Sequence, residues 1–121
     1  MSKRILVVED QEDNRRIMRD LLSSVGYEIV EAVTGEDGVR MAEAHVPDLI
    51  LMDIQLPGID GYEATRRIKA NMVLQQIPVI AVTSYALSGD DVKAFEAGCD
   101  AYVSKPFSPR ALLAKIRQFA P

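Results

Sequence analysis

Four apolar runs in this chain each end on residues that can carry charge or donate a proton. Ile5-Leu6-Val7-Val8 runs into Glu9-Asp10, and Leu49-Ile50-Leu51-Met52 into Asp53. Val79-Ile80-Ala81-Val82 runs into Thr83-Ser84, and Ala101-Tyr102-Val103 into Ser104-Lys105. Singly these mean little: an acid after a strand is usually a helix cap or a solvated loop residue, and a hydroxyl there usually bonds the loop backbone. Together, at the ends of neighbouring parallel strands, they would bring three acids, a hydroxyl and an amine to one rim. Three close carboxylates repel one another. A hard divalent cation resolves the repulsion, and carboxylate oxygens with waters and a carbonyl suit Mg2+. Such an ion attracts phosphate oxygens, Lys105 offers a second cation, and Thr83 offers a hydroxyl. Asp53 could then be the nucleophile, since carboxylates form acyl phosphates. Phosphoryl transfer asks mainly for positioning and charge neutralisation, which this set provides.

The elements needed to gather these residues are legible as alternating strands and helices. Asp48 to Met52 is apolar enough for a strand covered on both faces, and Pro57-Gly58 follows it. Such strands are typical of parallel sheets, and their carboxyl ends are where open α/β folds bind ligands. Gln11-Glu12-Asp13-Asn14 starts a helix with Ile17, Met18, Leu21, Leu22 and Val25 on one face, and Gly26 stops it. Tyr27 to Ala32 reads as a more exposed edge strand. Thr34 caps a helix carrying Val39, Met41, Ala42 and Val46, which ends near Pro47. Asp60-Gly61-Tyr62-Glu63 starts a helix with Tyr62, Ala64 and Ile68 inward and Arg66, Arg67 and Lys69 solvated. Ile77 to Val82 is the next buried strand, with Pro78 tolerable only at its start. Ser88-Gly89-Asp90-Asp91 starts a helix with Val92 and Phe95 inward, ended by Gly98. Ser108-Pro109 starts the last helix, with Leu112, Leu113, Ile116 and Phe119 as its buried stripe. Five such alternations predict a doubly wound α/β fold, a parallel sheet with helices on both faces.

The bulk numbers agree with one domain. The 121 residues are 48% hydrophobic, enough for a core without staples. A net charge of −4 argues against a general nucleic-acid binder, which would present a basic face. The single cysteine, Cys99, can form no internal disulfide and reads as core. The one histidine, His45, reads as surface. Met18, Met41, Met52 and Phe95 read as core filling, and residues 71–76 as a helix end and loop. No apolar run approaches the ~20 residues of a membrane span, and the start of the chain is unlike a secretory signal. The expectation is a soluble, cytoplasmic protein that neither inserts into a membrane nor binds nucleic acid directly.

The chain resembles, along its whole length and in order, the receiver domain of two-component response regulators. The matching pieces are Ile5 to Asp10, Pro47 to Asp53, Leu56 to Gly61, Val79 to Thr83 and Tyr102 to Pro106. Residues 1–121 would form one stand-alone receiver. On the Met52-Asp53-Ile54-Gln55-Leu56-Pro57 run it is most similar to division-control receivers of the DivK type. The resemblance implies a flavodoxin-like five-stranded sheet of order 2-1-3-4-5 with five helices. It implies that Asp53 accepts a phosphoryl group from a phosphohistidine on a sensor histidine kinase or a histidine phosphotransfer protein. Glu9 and Asp10 would form the acidic pocket, with Asp10, Asp53 and the Gln55 carbonyl as Mg2+ ligands. Lys105 would pair with the phosphoryl group, and the Lys105-Pro106 bond would be cis. Thr83 and Tyr102 would be the switch pair, and the face from Ser88 to Phe119 would report the change to a downstream protein. Arg110, Lys115 and Arg117 could there meet an acidic partner. Gln55 and Tyr85 lie where receivers vary. The role is that of a phosphoacceptor in signalling and not of a turnover enzyme.

Three rivals fit less well. An aspartyl phosphohydrolase of the haloacid dehalogenase class wants a second aspartate two residues after the nucleophile, where Gln55 stands. A flavodoxin-like mononucleotide binder wants a phosphate-cradling loop after the first strand, where Glu9-Asp10-Gln11-Glu12-Asp13 would repel phosphate. A receiver-like scaffold without phosphorylation would have no need of Asp10, Asp53, Thr83 and Lys105 together.

Overall fold

The computed structural model describes residues 3–83 and 90–121. Strands and helices alternate as β1 (Arg4–Val8), α1 (Glu12–Ser24), β2 (Glu28–Ala32), α2 (Gly35–His45), β3 (Leu49–Asp53), α3 (Gly61–Ala70), β4 (Val79–Thr83), α4 (Asp90–Ala97), β5 (Ala101–Ser104) and α5 (Pro109–Phe119). The five strands form one parallel sheet of order β2-β1-β3-β4-β5, the doubly wound arrangement expected from the alternation. β2 lies at an edge, in keeping with its mixed apolar and polar pattern.

The sheet divides its apolar residues by the period-two rule for strands. Leu6, Val8, Ile50, Met52, Val79 and Ala81 face one layer, packed with Ala42, Ala64, Ile68, Ala94 and Cys99 from α2, α3 and the α4 region. Ile5, Val7, Leu49, Leu51, Ile80 and Val82 face the other, packed with Met18 and Leu22 of α1 and Leu112 and Ile116 of α5. β1, β3 and β4 are thus covered on both sides, which is why their sequences are unbroken apolar runs rather than alternating ones. Three helix starts follow the capping rule: Thr34, Asp60 and Ser108 accept from the backbone N–H three residues on, at 3.0, 2.9 and 3.0 Å. No helix among the described residues is long and apolar enough to cross a membrane.

Several expected inward residues point out. Ile17, Val25 and Val46 are exposed, because α1 packs through Met18 and Leu22 while Val46 is already past the end of α2. Val92 and Phe95 are 53% and 52% exposed, so Phe95 is not core filling; α4 lies on the core through Ala94 and Ala97. Small side chains let the helix approach closely and leave the larger ones outside. Met41 is only partly buried, while Met18 and Met52 are core. Lys69 is not a solvated residue like Arg66 and Arg67. Its ammonium donates to Gln75 O (3.1 Å), Ile77 O (2.7 Å) and Asp100 Oδ2 (3.0 Å), tying α3 to the entrances of β4 and β5. The expected helix start at Ser88-Gly89, and Ser84 and Tyr85, lie outside the described residues.

Candidate acidic site at the carboxyl rim of the sheet

Because every strand is parallel, the carboxyl ends of β1, β3, β4 and β5 share a rim. Glu9 and Asp10 follow β1, Asp53 and Thr83 are the last residues of β3 and β4, and Lys105 follows β5. Carboxylate oxygens of Glu9, Asp10 and Asp53 lie within 4.8 Å of one another. Glu9, Asp53 and Thr83 are buried at 0%, 4% and 1% exposure, while Asp10 faces water. Lys105 Nζ lies 2.7 Å from Glu9 Oε1 and 3.6 Å from Asp53 Oδ2. Its backbone N–H donates to Thr83 O at 2.6 Å, so the lysine is fixed to the end of β4 as well as to β5.

The loop after β3 is shaped around the same carboxylate. Gln55 N–H donates to Asp53 Oδ1 at 3.1 Å, and Gly61 N–H donates to Ile54 O at 2.9 Å, closing residues 54–61 back onto the strand. A Cβ on Gly61 would collide with Asp53 O and come within 2.7 Å of Ile54 Cα. Glycine is required there by space and not by dihedral freedom. The Lys105-Pro106 peptide is cis. Tyr102 is half-buried on β5, beside Ala81 of β4, and packs against the α2–α4 layer.

Electrostatics at the rim follow from crowding. Burial, then the bond to Asp53, push the Glu9 carboxyl above its ordinary value of 4.5, against the opposing pull of Lys105. Loss of surrounding water and the neighbouring Glu9 push Asp10 up from 3.8. Three hard oxygen donors that are costly to ionise together are a donor set suited to a divalent cation, and Mg2+ fits these residues better than a softer metal would. Cys99 is far from this chemistry in character: burial raises its thiol, which contacts Thr65 inside the core.

Glu9, Asp10, Asp53, Thr83 and Lys105 are thus gathered at one rim, while Tyr102 lies within β5, beside Ala81. The sequence reading missed Arg15, which donates from α1 to the Glu9 carbonyl at 3.1 Å. No spacing rule joins those two residues. It also missed a groove of about 430 Å3 beside Lys105, lined by Asn14, Ile17, Lys105, Pro106 and Phe107. Placing Ile17 in the core had hidden that groove.

The response regulator receiver domain profile matches residues 5–117. The chain belongs to the response regulator receiver domain family. This receiver is 43% identical over 119 residues to the polar-differentiation response regulator DivK of Brucella ovis, covering 98% of this chain and 97% of that one. It superposes with a TM-score of 0.92 on the receiver domain of sensor histidine kinase PA1611 from Pseudomonas aeruginosa, a structure with a magnesium ion in its active-site cleft. Identity is 38%, with 98% of each chain covered. A CheY-like receiver domain protein from Methanospirillum hungatei gives a TM-score of 0.89 at 36% identity, with 98% of this chain and 93% of that one covered.

Proposed function

We propose that this chain is a single-domain response regulator, residues 1–121 acting as one receiver, in which Asp53 accepts a phosphoryl group from a phosphohistidine. The observation that carries the reading is the meeting of Glu9, Asp10 and Asp53 with the Lys105 ammonium at one rim. The match to DivK over nearly both whole lengths supports the stand-alone role.

A carboxylate oxygen of Asp53 attacks phosphorus in line. The P–O bond forms as the P–N bond breaks, and its electron pair returns to the imidazole of the donor. Gln55 N–H orients the nucleophile through Asp53 Oδ1. Lys105, already within 3.6 Å of Asp53, pairs with the arriving group and gives up its contact with Glu9 to do so. Asp10, Asp53 and the Gln55 carbonyl would hold Mg2+, with Glu9 completing the acidic pocket. When bound, the ion supplies charge neutralisation for the phosphoryl oxygens. The magnesium in the PA1611 receiver's cleft supports that assignment.

The phosphoryl group carries about 1.5–2 negative charges, the usual figure for a phosphorylated side chain, in place of the single charge of the Asp53 carboxylate that it caps. Thr83, buried at the end of β4, donates its hydroxyl to a phosphoryl oxygen, and Tyr102 turns into the space that it leaves. That differential contact shifts the equilibrium between two states of the face running from Ser88 to Phe119. Exposed Val92 and Phe95 give the described part of this face an apolar character suited to a downstream protein. The groove that Ile17 and Phe107 line beside Lys105 suits the kinase or phosphotransfer protein that brings the phosphohistidine. The protein works in the cytoplasm, where such donors are found.

Incubation with Mg2+ and acetyl phosphate, read by intact mass, tests the proposal. The expected result is a gain of one phosphoryl group that Asp53→Asn abolishes. No gain, or a gain that survives that substitution, would leave a phosphorylation-independent scaffold as the reading. Steady turnover of donor at enzymatic rates would favour a phosphohydrolase.

A further inference from the structure

The turn from Glu9 to Gln11 carries two of the three acids, and within it Gln11 N–H donates to Glu9 Oε2 at 3.3 Å, a bond to the side chain that leaves the Glu9 backbone unheld. β1 stops at Val8, and Gln11 starts α1 without a side-chain capping bond. The Glu9 backbone is instead held from two other elements. Its N–H donates to Ala32 O at 3.0 Å, and its carbonyl accepts from Arg15 Nη1 at 3.1 Å. Arg15 is anchored in turn: its Nε lies 3.2 Å from Glu31 Oε1, and its side chain is only 17% exposed. Glu31 precedes Ala32 on β2, so both contacts of the Glu9 backbone lead to the same edge strand. Arg19 also reaches Glu31, at 3.2 and 3.3 Å, but among the described residues its other partner is Asp20 and not the turn.

We propose that Arg15 is a positioning residue for the acidic pocket, holding the Glu9 carbonyl so that the Glu9 and Asp10 carboxylates converge on Asp53, and thereby setting the affinity for Mg2+. The inference rests on reading the pocket as a Mg2+ and phosphoryl site. Three carboxylates within 4.8 Å repel, and Asp10 has water to swing into. A charge-assisted bond to the backbone between the two acids resists that swing. Lys105 cannot replace it, because it holds the Glu9 carboxylate and must release it to the phosphoryl group. A guanidinium has the fork geometry to serve a carbonyl and a carboxylate at once, which an ammonium on a flexible stem does less well.

Mg2+ binding by the full chain, measured by calorimetric titration, tests this. Arg15→Met should weaken Mg2+ about tenfold, the lower end of the usual cost of losing a group that orients a metal ligand. Arg15→Lys should fall between it and the wild type, and Arg19→Met should stay within about twofold of wild type, since it loses its own ion pair with Glu31 but no contact with the turn. At saturating Mg2+, Arg15→Met should load from acetyl phosphate at the wild-type rate, a split that a general loss of fold would not produce. Wild-type Mg2+ affinity in Arg15→Met, or an equal loss in Arg19→Met, would overturn the inference while leaving the proposed function standing. Absence of Mg2+ binding in the wild type would overturn both. If Arg15→Met does not fold, Arg15→Lys decides: a loss of about threefold or more supports the role, and any smaller loss refutes it.

Discussion

The Lys105 ammonium lies 2.7 Å from Glu9 Oε1, across 96 residues of sequence, and Glu9 is wholly buried. In the absence of metal, this lysine is the cation nearest to hand for a pocket of three acids, and its carboxylate partner has no access to water as an alternative. The pairing therefore stabilises the resting pocket and at the same time keeps Lys105 where a phosphoryl group would need it.

Removing that cation should be costly. Lys105→Met leaves a buried carboxylate without its partner, for which the usual penalty is ~3–5 kcal/mol. The lysine side chain is 15% exposed and Glu9 can take up a proton, so a loss of about 2 kcal/mol at neutral pH is expected after those discounts. Urea denaturation checks this, and added Mg2+ should restore part of the loss. An unchanged midpoint would mean that the pair contributes nothing to the fold.

The pocket also fixes the sign of a pH dependence. Glu9 and Asp10 bind protons more tightly in the folded state than their ordinary values of 4.5 and 3.8. The native state then holds more protons than the unfolded one, so this contribution to stability falls as pH rises from those values through the raised folded ones. Mg2+ competes with those protons, so its stabilisation should be small near pH 4 and grow towards about pH 7. Thermal melts with and without Mg2+ across that range read the difference, and a Mg2+ effect independent of pH would contradict it.

Gly61 is a steric requirement beside the end of β3. Gly61→Ala places a methyl against Asp53 O and Ile54 Cα, backbone atoms that cannot rotate away. Overpacking of this kind costs about 2 kcal/mol or more, and the displaced Asp53 should lower Mg2+ affinity in the same variant. Denaturation and Mg2+ titration together check it. Full stability would show that the loop after β3 shifts without strain.

Val46 offers the opposite experiment. It ends α2 with φ 43° and ψ 66°, a left-handed conformation that a β-branched residue adopts at a cost. The residue is 49% exposed, so its side chain gives up little burial when removed. Val46→Gly should raise stability by about 0.5–1 kcal/mol, the left-handed penalty less the entropy of glycine. A urea midpoint at or below that of the wild type would refute this.

Much of the molecule follows from local pattern. Unbroken apolar runs such as Leu49 to Met52 require a strand buried on both faces, and alternation with helical segments requires parallel pairing. Parallel pairing in turn sends Glu9, Asp10, Asp53, Thr83 and Lys105 to one rim. The caps at Thr34, Asp60 and Ser108 were legible because an N-cap bond spans only three residues. Tertiary structure decided what local pattern leaves open. Ile17, Val92 and Phe95 recur at helical spacing, yet which side of a helix meets the sheet depends on how closely its small residues can approach, and α4 settles on Ala94 and Ala97. Lys69 and Arg15 look like surface cations in sequence; each acts through acceptors on other elements, Asp100 and Glu31 among them. Residue spacing predicts where a strand ends, but only packing decides which distant groups a long cationic side chain can reach.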